Sequence, residues 1–289
     1  MDVIKRNLDS YKRGFKGVIK MKREKLLWLV LALMCIAVGC QEKESKLSVK
    51  VDPAVAESLA KRSDPNEALY QAVRDGDTKM VQACILLNAD INTKNRYGQS
   101  LLHIAARRGY KDIAELLIAK GAELNVKNSQ SRTPLFEAIN AGYMDMAELL
   151  INGGADVNME VNEGWTILHF AAEKGHKDIA EFIIDKGADV NAKDNNGWTP
   201  LYFALVYKRA DVAELLINKG ADVNIKDKRE QTPMHFAASG GLKDAILLLI
   251  AEGADVNAKT EDGQTPLRWA RLEGNMEIVT MLRKHGAKE

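Results

Sequence analysis

Cysteine, proline and aromatic side chains are scarce in this 289-residue chain, and charge of one sign is in no excess. Three cysteines, Cys35, Cys40 and Cys84, are too few for a disulfide framework, so stability has to come from packing. Lys and Arg number 41 against 40 Asp and Glu, but residues 1–40 hold nine basic and three acidic side chains. That leaves 32 against 37, about −5, for the remainder. A mildly acidic body lacks the basic face that nucleic acid requires, and no nucleic-acid partner is expected. The sequence has no Cys-x-x-Cys pair, His-Glu-x-x-His helix, Gly-x-Ser-x-Gly elbow or phosphate-cradling glycine loop. Metal, cofactor and catalysis therefore find no candidate residues, and the chain is not expected to be an enzyme. At 46% hydrophobic and 28% charged the composition still belongs to a folded protein rather than a disordered or fibrous one.

One long uncharged apolar run is present, from Leu26 to Gly39, behind the basic stretch Met21-Lys22-Arg23-Glu24-Lys25. Basic residues followed by an apolar core are the grammar of a secretory signal. Fourteen helical residues span about 21 Å, short of the roughly 30 Å of bilayer hydrocarbon, which favours a cleavable signal over a membrane-spanning anchor. The segment Ile36-Ala37-Val38-Gly39-Cys40 resembles the lipobox of bacterial lipoproteins. That resemblance implies cleavage before Cys40, lipidation of its thiol and acylation of its new amine, and two or more chains hold a protein on a bilayer where one does not. Gln41 is not the aspartate that retains such proteins in the inner membrane under the enteric rule. The expected location is the outer membrane, facing the periplasm. Because Met21 opens a signal of ordinary length, the true start is expected there. Residues 41–50 read as a polar tether, and Asp52-Pro53 opens a short capping helix to Lys61.

From about Ser63 onward one unit of 33 residues recurs without insertion. Leu69, Leu102, Leu135, Leu168, Leu201, Met234 and Leu267 fall at this spacing, as do Ala72, Ala105, Ala138, Ala171, Ala204, Ala237 and Ala270. Seven units follow, at 63–95, 96–128, 129–161, 162–194, 195–227, 228–260 and 261–289. Each reads as helix, turn, helix, loop. Thr133-Pro134, Thr199-Pro200, Thr232-Pro233 and Thr265-Pro266 set a capping hydroxyl before a proline that needs no amide hydrogen. Gly76, Gly109, Gly142, Gly175, Gly241 and Gly274 end the first helix in a left-handed conformation, with Lys208 strained in the matching place. Helices of two to three turns bury too little alone, so the units must stack through the Leu and Ala columns.

Gly197-Trp198-Thr199-Pro200-Leu201 and Gly220-Ala221-Asp222-Val223-Asn224 resemble the signature of the ankyrin repeat, over about 225 residues. The resemblance implies an all-α solenoid of helix-turn-helix units joined by hairpin-like loops, monomeric and without cofactors. It also gives His103, His169 and His235 a structural role, tying the turn by hydrogen bonds. Departures are local: Ser100-Leu101 and Thr166-Ile167 lack the proline, and Arg271 replaces an alanine in the last unit. Cys84, on the apolar side of a second helix, reads as a buried thiol.

Ankyrin solenoids hold other proteins on a concave surface of first helices and loop fingers, so the partner expected is another protein. Candidate contact residues are those that vary between units. Trp165 and Trp198 occupy the finger base and either form an aromatic ridge or pack as filler, and Tyr207 would extend the ridge. Arg107, Arg108 and Arg132 make the early units mildly basic, for an acidic partner or as a solvated face. Glu173 and Lys174 close the list. The expected function is a lipid-anchored, non-catalytic scaffold of the bacterial envelope. The alternative is a surface-displayed or secreted factor that acts on a host protein.

Overall fold

A computed structural model describes residues 64–288 of the chain. The expected signal sequence, Cys40, the expected tether and the short helix expected at 52–61 lie outside the described residues. Fourteen α-helices occur among the described residues, in consecutive pairs. They are α1 (Pro65–Asp75) and α2 (Thr78–Leu86), α3 (Leu101–Arg108) and α4 (Lys111–Ala119), α5 (Pro134–Asn140) and α6 (Met144–Asn152), α7 (Ile167–Lys174) and α8 (Lys177–Asp185). Then follow α9 (Pro200–Val206) and α10 (Ala210–Asn218), α11 (Pro233–Gly240) and α12 (Lys243–Ala251), and α13 (Pro266–Leu272) and α14 (Met276–Lys284). No strand forms among the described residues; the loops show one isolated bridge, Lys94 to Ser100.

Contacts divide the described chain into two compact units, one of residues 64–93 with 115–122 and one of 94–114 with 123–288. In the first, α1 packs on α2 around Leu69, Val73, Val81 and the fully buried Cys84. In the second, α3 packs on α5, α7 on α9, α9 on α11 and α11 on α13, while the second helices stack as α8 on α10 and α10 on α12. The 33-residue columns form the core: every Leu or Met and every Ala of the two series is at most 3% exposed. Within the second unit, small alanines let successive first helices approach closely, and the leucines fill what remains, which is how short helices share one core.

The helix starts differ in detail. Ser100, Thr133 and Thr265 accept the amides of His103, Phe136 and Arg268. Thr199 departs from the expected capping and makes no such bond; Tyr202, where three other pairs have histidine, sends its hydroxyl to Gln231 O.

Lys208 adopts φ 56° at the turn where the other first helices are followed by a left-handed glycine. Its Cβ crowds the carbonyl there, at a cost of about 1–2 kcal/mol. Lys208→Gly is expected to raise stability by about 1 kcal/mol, read as a higher urea midpoint at unchanged slope; an unchanged or lower midpoint would contradict the strain.

Candidate protein-binding surface

Four of the six fingers that precede first helices α3 to α13 are built by one device at positions of the 33-residue register. An Asn or Asp oxygen accepts two amides, from the residues two and four places on: Asn95 from Tyr97 and Gln99, Asn128 from Gln130 and Arg132, Asp194 from Asn196 and Trp198, Asp227 from Arg229 and Gln231. This is the side-chain mimic of a backbone turn that Asx residues supply. Adjacent fingers also join by backbone bonds, Ser129 N–H to Tyr97 O, Asn195 to Glu163, Lys228 to Asn196 and Glu261 to Arg229.

Three histidines lock each finger to the helix before it. His103 Nε2 lies 2.9 Å from Arg132 O, His169 Nε2 3.1 Å from Trp198 O, and His235 Nε2 3.1 Å from Gln264 O. Their Nδ1 atoms face the backbone N–H of Ser100, Thr166 and Thr232. A carbonyl can only accept and an amide can only donate, so each ring must be neutral with its proton on Nε2. Tyr202 replaces the imidazole in the fifth pair and shares its hydroxyl proton between Ile225 O and Gln231 O, at 2.7 and 2.6 Å. Burial pushes its phenol well above the ordinary value. These residues complete the scaffold's hydrogen bonds from one repeat to the next. Among the described residues no three His, Cys, Asp or Glu side chains come together to hold a metal.

The side of the stack that carries fingers and first helices is aromatic. Trp165 meets Phe203 edge-on with centroids 4.4 Å apart, Phe203 lies 5.4 Å from Trp198, Trp198 5.3 Å from Phe236, and Phe236 5.5 Å from Trp269. Centroid spacings of this kind contribute beyond simple area burial. Tyr207, 45% exposed, stacks on Phe203 at 6.5 Å and nearly parallel. The structure thus brings Trp165, Trp198 and Tyr207 together, but through Phe203. Both indoles are half-buried. Trp198 also donates from Nε1 to Asp227 Oδ2 at 2.9 Å.

Sequence reasoning missed the members that hold this run together, Phe203, Phe236 and Trp269, along with Phe170. The signal was there: Phe170, Phe203, Phe236 and Trp269 stand 33 apart, one place beyond the histidine column. The remaining candidates are distributed. Arg107 and Arg108 are exposed at the end of α3, and Arg132, half-buried, lays its guanidinium 5.2 Å over Phe136. Glu173 and Lys174 pair with each other at 3.2 Å, and Lys174 covers Phe170 at 5.6 Å. Cys40 lies outside the described residues.

A family model described as ankyrin repeats in three copies matches residues 48–128, 69–161, 118–194, 135–227 and 219–289. The chain belongs to the ankyrin-repeat family. No curated protein matches it. Ankyrin repeats are generally non-catalytic interaction modules, and they imply binding to another protein. The histidine and Asx columns supply the rigid frame of the repeat, and the variable aromatic side chains sit upon it.

Burial holds His103, His169 and His235 below the ordinary 6.5, with the carbonyl that each ring faces opposing the shift. A folded pKa below the unfolded one means that the unfolded chain binds more protons as acid is added, so the contribution is whole above pH 6.5 and is lost on descending below it. Urea midpoints are expected to fall between about pH 7.5 and 5.5, less steeply in His169→Gln; a flat profile in the wild type would contradict the neutral rings. Trp198→Phe, which removes a donor to a carboxylate, is expected to cost about 1.5–3 kcal/mol, and Trp165→Phe less, since its Nε1 has no acceptor among the described residues. Equal urea-midpoint losses would remove that distinction.

Proposed function

We propose that this ankyrin-repeat chain is a scaffold of the bacterial cell envelope, monomeric and held to the membrane through a lipidated Cys40, which binds a partner protein on the concave face formed by its first helices and fingers. The outer membrane, facing the periplasm, is the location that Gln41 favours. The observation that carries the binding reading is the aromatic run from Trp165 through Phe203, Trp198 and Phe236 to Trp269, with Tyr207 standing out from it. Trp and Tyr present large rigid area with few rotatable bonds, which is why such residues dominate binding energies at protein interfaces.

A photo-crosslinking side chain at position 207, introduced in living cells, is expected to capture a defined partner. The same group in place of Leu247, which is 41% exposed on the second helix α12, is expected to capture little. Crosslinks from position 247 alone would overturn the assignment of the face. Cys40→Ser is expected to move the chain from the membrane fraction to the soluble one. Digestion of the chain on intact cells would favour the surface-displayed factor instead.

A further inference from the structure

A groove of about 410 Å3 opens among the fingers of the fourth, fifth and sixth helix pairs, within the roughly 300–1,000 Å3 of small-ligand sites. Trp165, Trp198 and Phe203 supply its rings, and Glu163, Asp194 and Asp227 its carboxylates. Asp194 is 7% exposed. Its Oδ1 is committed to the amides of Asn196 and Trp198, both at 2.8 Å. Its Oδ2 accepts no hydrogen bond from the described residues. The contrast with the next repeat is direct. There, Asp227 Oδ2 receives Trp198 Nε1, whereas Trp165, standing 33 residues before Trp198, turns onto Phe203 and makes no bond to Asp194. Lys228 and Arg229 also line the groove, yet neither makes an ion pair with any of the three carboxylates.

No side-chain oxygen among the described residues is both sealed from solvent and without a partner, so Asp194 Oδ2 meets the open groove, where the natural complement to its charge is a positively charged donor. Tryptophan faces attract the same kind of group. Guanidinium meets both conditions, since its planar fork donates to a carboxylate while its flat face stacks on a ring. We propose that this groove receives an arginine side chain from a basic segment of the partner protein, with Asp194 Oδ2 as acceptor and Trp165 and Trp198 as ring walls. The inference rests on the reading of this face as the binding surface and specifies the chemistry of what docks there.

The test uses the processed chain from Cys40 onward, labelled with 15N at Trp165, Trp198 and Trp269, and the peptide acetyl-Gly-Arg-Gly-amide, with the norleucine peptide as neutral counterpart. The arginine peptide is expected to shift the indole signals of Trp165 and Trp198 while leaving that of Trp269 in place, and the norleucine peptide to shift none. Asp194→Asn is expected to weaken binding at least fivefold. It should not disturb the finger, because Asn95 and Asn128 occupy the same column and accept the same pair of amides. Absence of shifts with arginine, or equal affinity in Asp194→Asn, would overturn the proposal. Equal shifts with norleucine would overturn it too, while leaving an apolar docking face intact. Loss of crosslinks from position 207 would instead remove the binding face itself.

Discussion

Within the larger unit, the structure depends on side chains of one repeat completing the hydrogen bonds of the next repeat's backbone. A short helix pair leaves loop carbonyls and amides that it cannot satisfy by itself; those the histidines reach are partly buried, where an unpaired group costs about as much as a lost hydrogen bond, while the asparagine bonds are exposed and chiefly fix the register. His169 reaches Trp198 O, and Asn158 donates to Gly187 O while accepting from Asp189 N–H. Asn191, Asn224 and Asn257 repeat the second arrangement in register. Each repeat is therefore finished only when its neighbour is in place. That dependence explains the absence of insertions over the repeated region, since one extra residue would throw every later donor out of line with its acceptor. It also explains why the three histidines are held neutral, each between an amide that donates and a carbonyl that accepts.

One junction is built differently. Phe136 stands where histidine stands in three other pairs, so Trp165 O receives no side-chain donor from the preceding repeat, and Val161 stands where Asn or Asp organises four of the fingers. The finger closes instead through a single 3-10 turn, Asn162–Gly164, with Glu163 itself left-handed at φ 61°. No backbone bond links it to the finger at 127–132 among the described residues, and α5 and α7 stand farther apart than the other first-helix neighbours of this unit. The rings of Phe136 and Phe170, 5.1 Å apart, fill the gap. The Asn158 bonds persist at this junction, so it is loosened on the finger side and retained on the loop side.

The repeat frame was legible in the sequence because its causes are local and periodic. A left-handed turn calls for glycine, a helix start calls for Thr-Pro, and a shared core calls for the same Leu and Ala at every copy, so reading one unit reads them all. The surface was legible only in part. Trp165, Trp198 and Tyr207 stood out because they differ from their counterparts. Phe203 and Phe236 did not, because phenylalanine inside a helix reads as core until its partners are known. Nor does spacing reveal that Trp198 donates to a carboxylate while Trp165 does not, since the two occupy equivalent columns and are flanked by equivalent glycines and threonines. That difference arises across repeats, from contacts between residues 29 or more apart.

The distinction between filler and ridge dissolves once burial is known. A tryptophan that is half-buried against Phe203 is held in one orientation by packing, and the half that remains uncovered is thereby presented without further loss of side-chain freedom on binding. Packing inside the stack and recognition outside it are then two uses of one ring. The same logic connects the irregular finger to the groove beside it. Val161 cannot gather the finger as aspartate does, the indole of Trp165 settles on Phe203, and Asp194 is left with an oxygen that its counterpart Asp227 has filled. A departure from the repeat that weakens one junction thus creates the only place along these fingers where an Asx carboxylate lines an aromatic groove without an indole donor of its own, among the described residues.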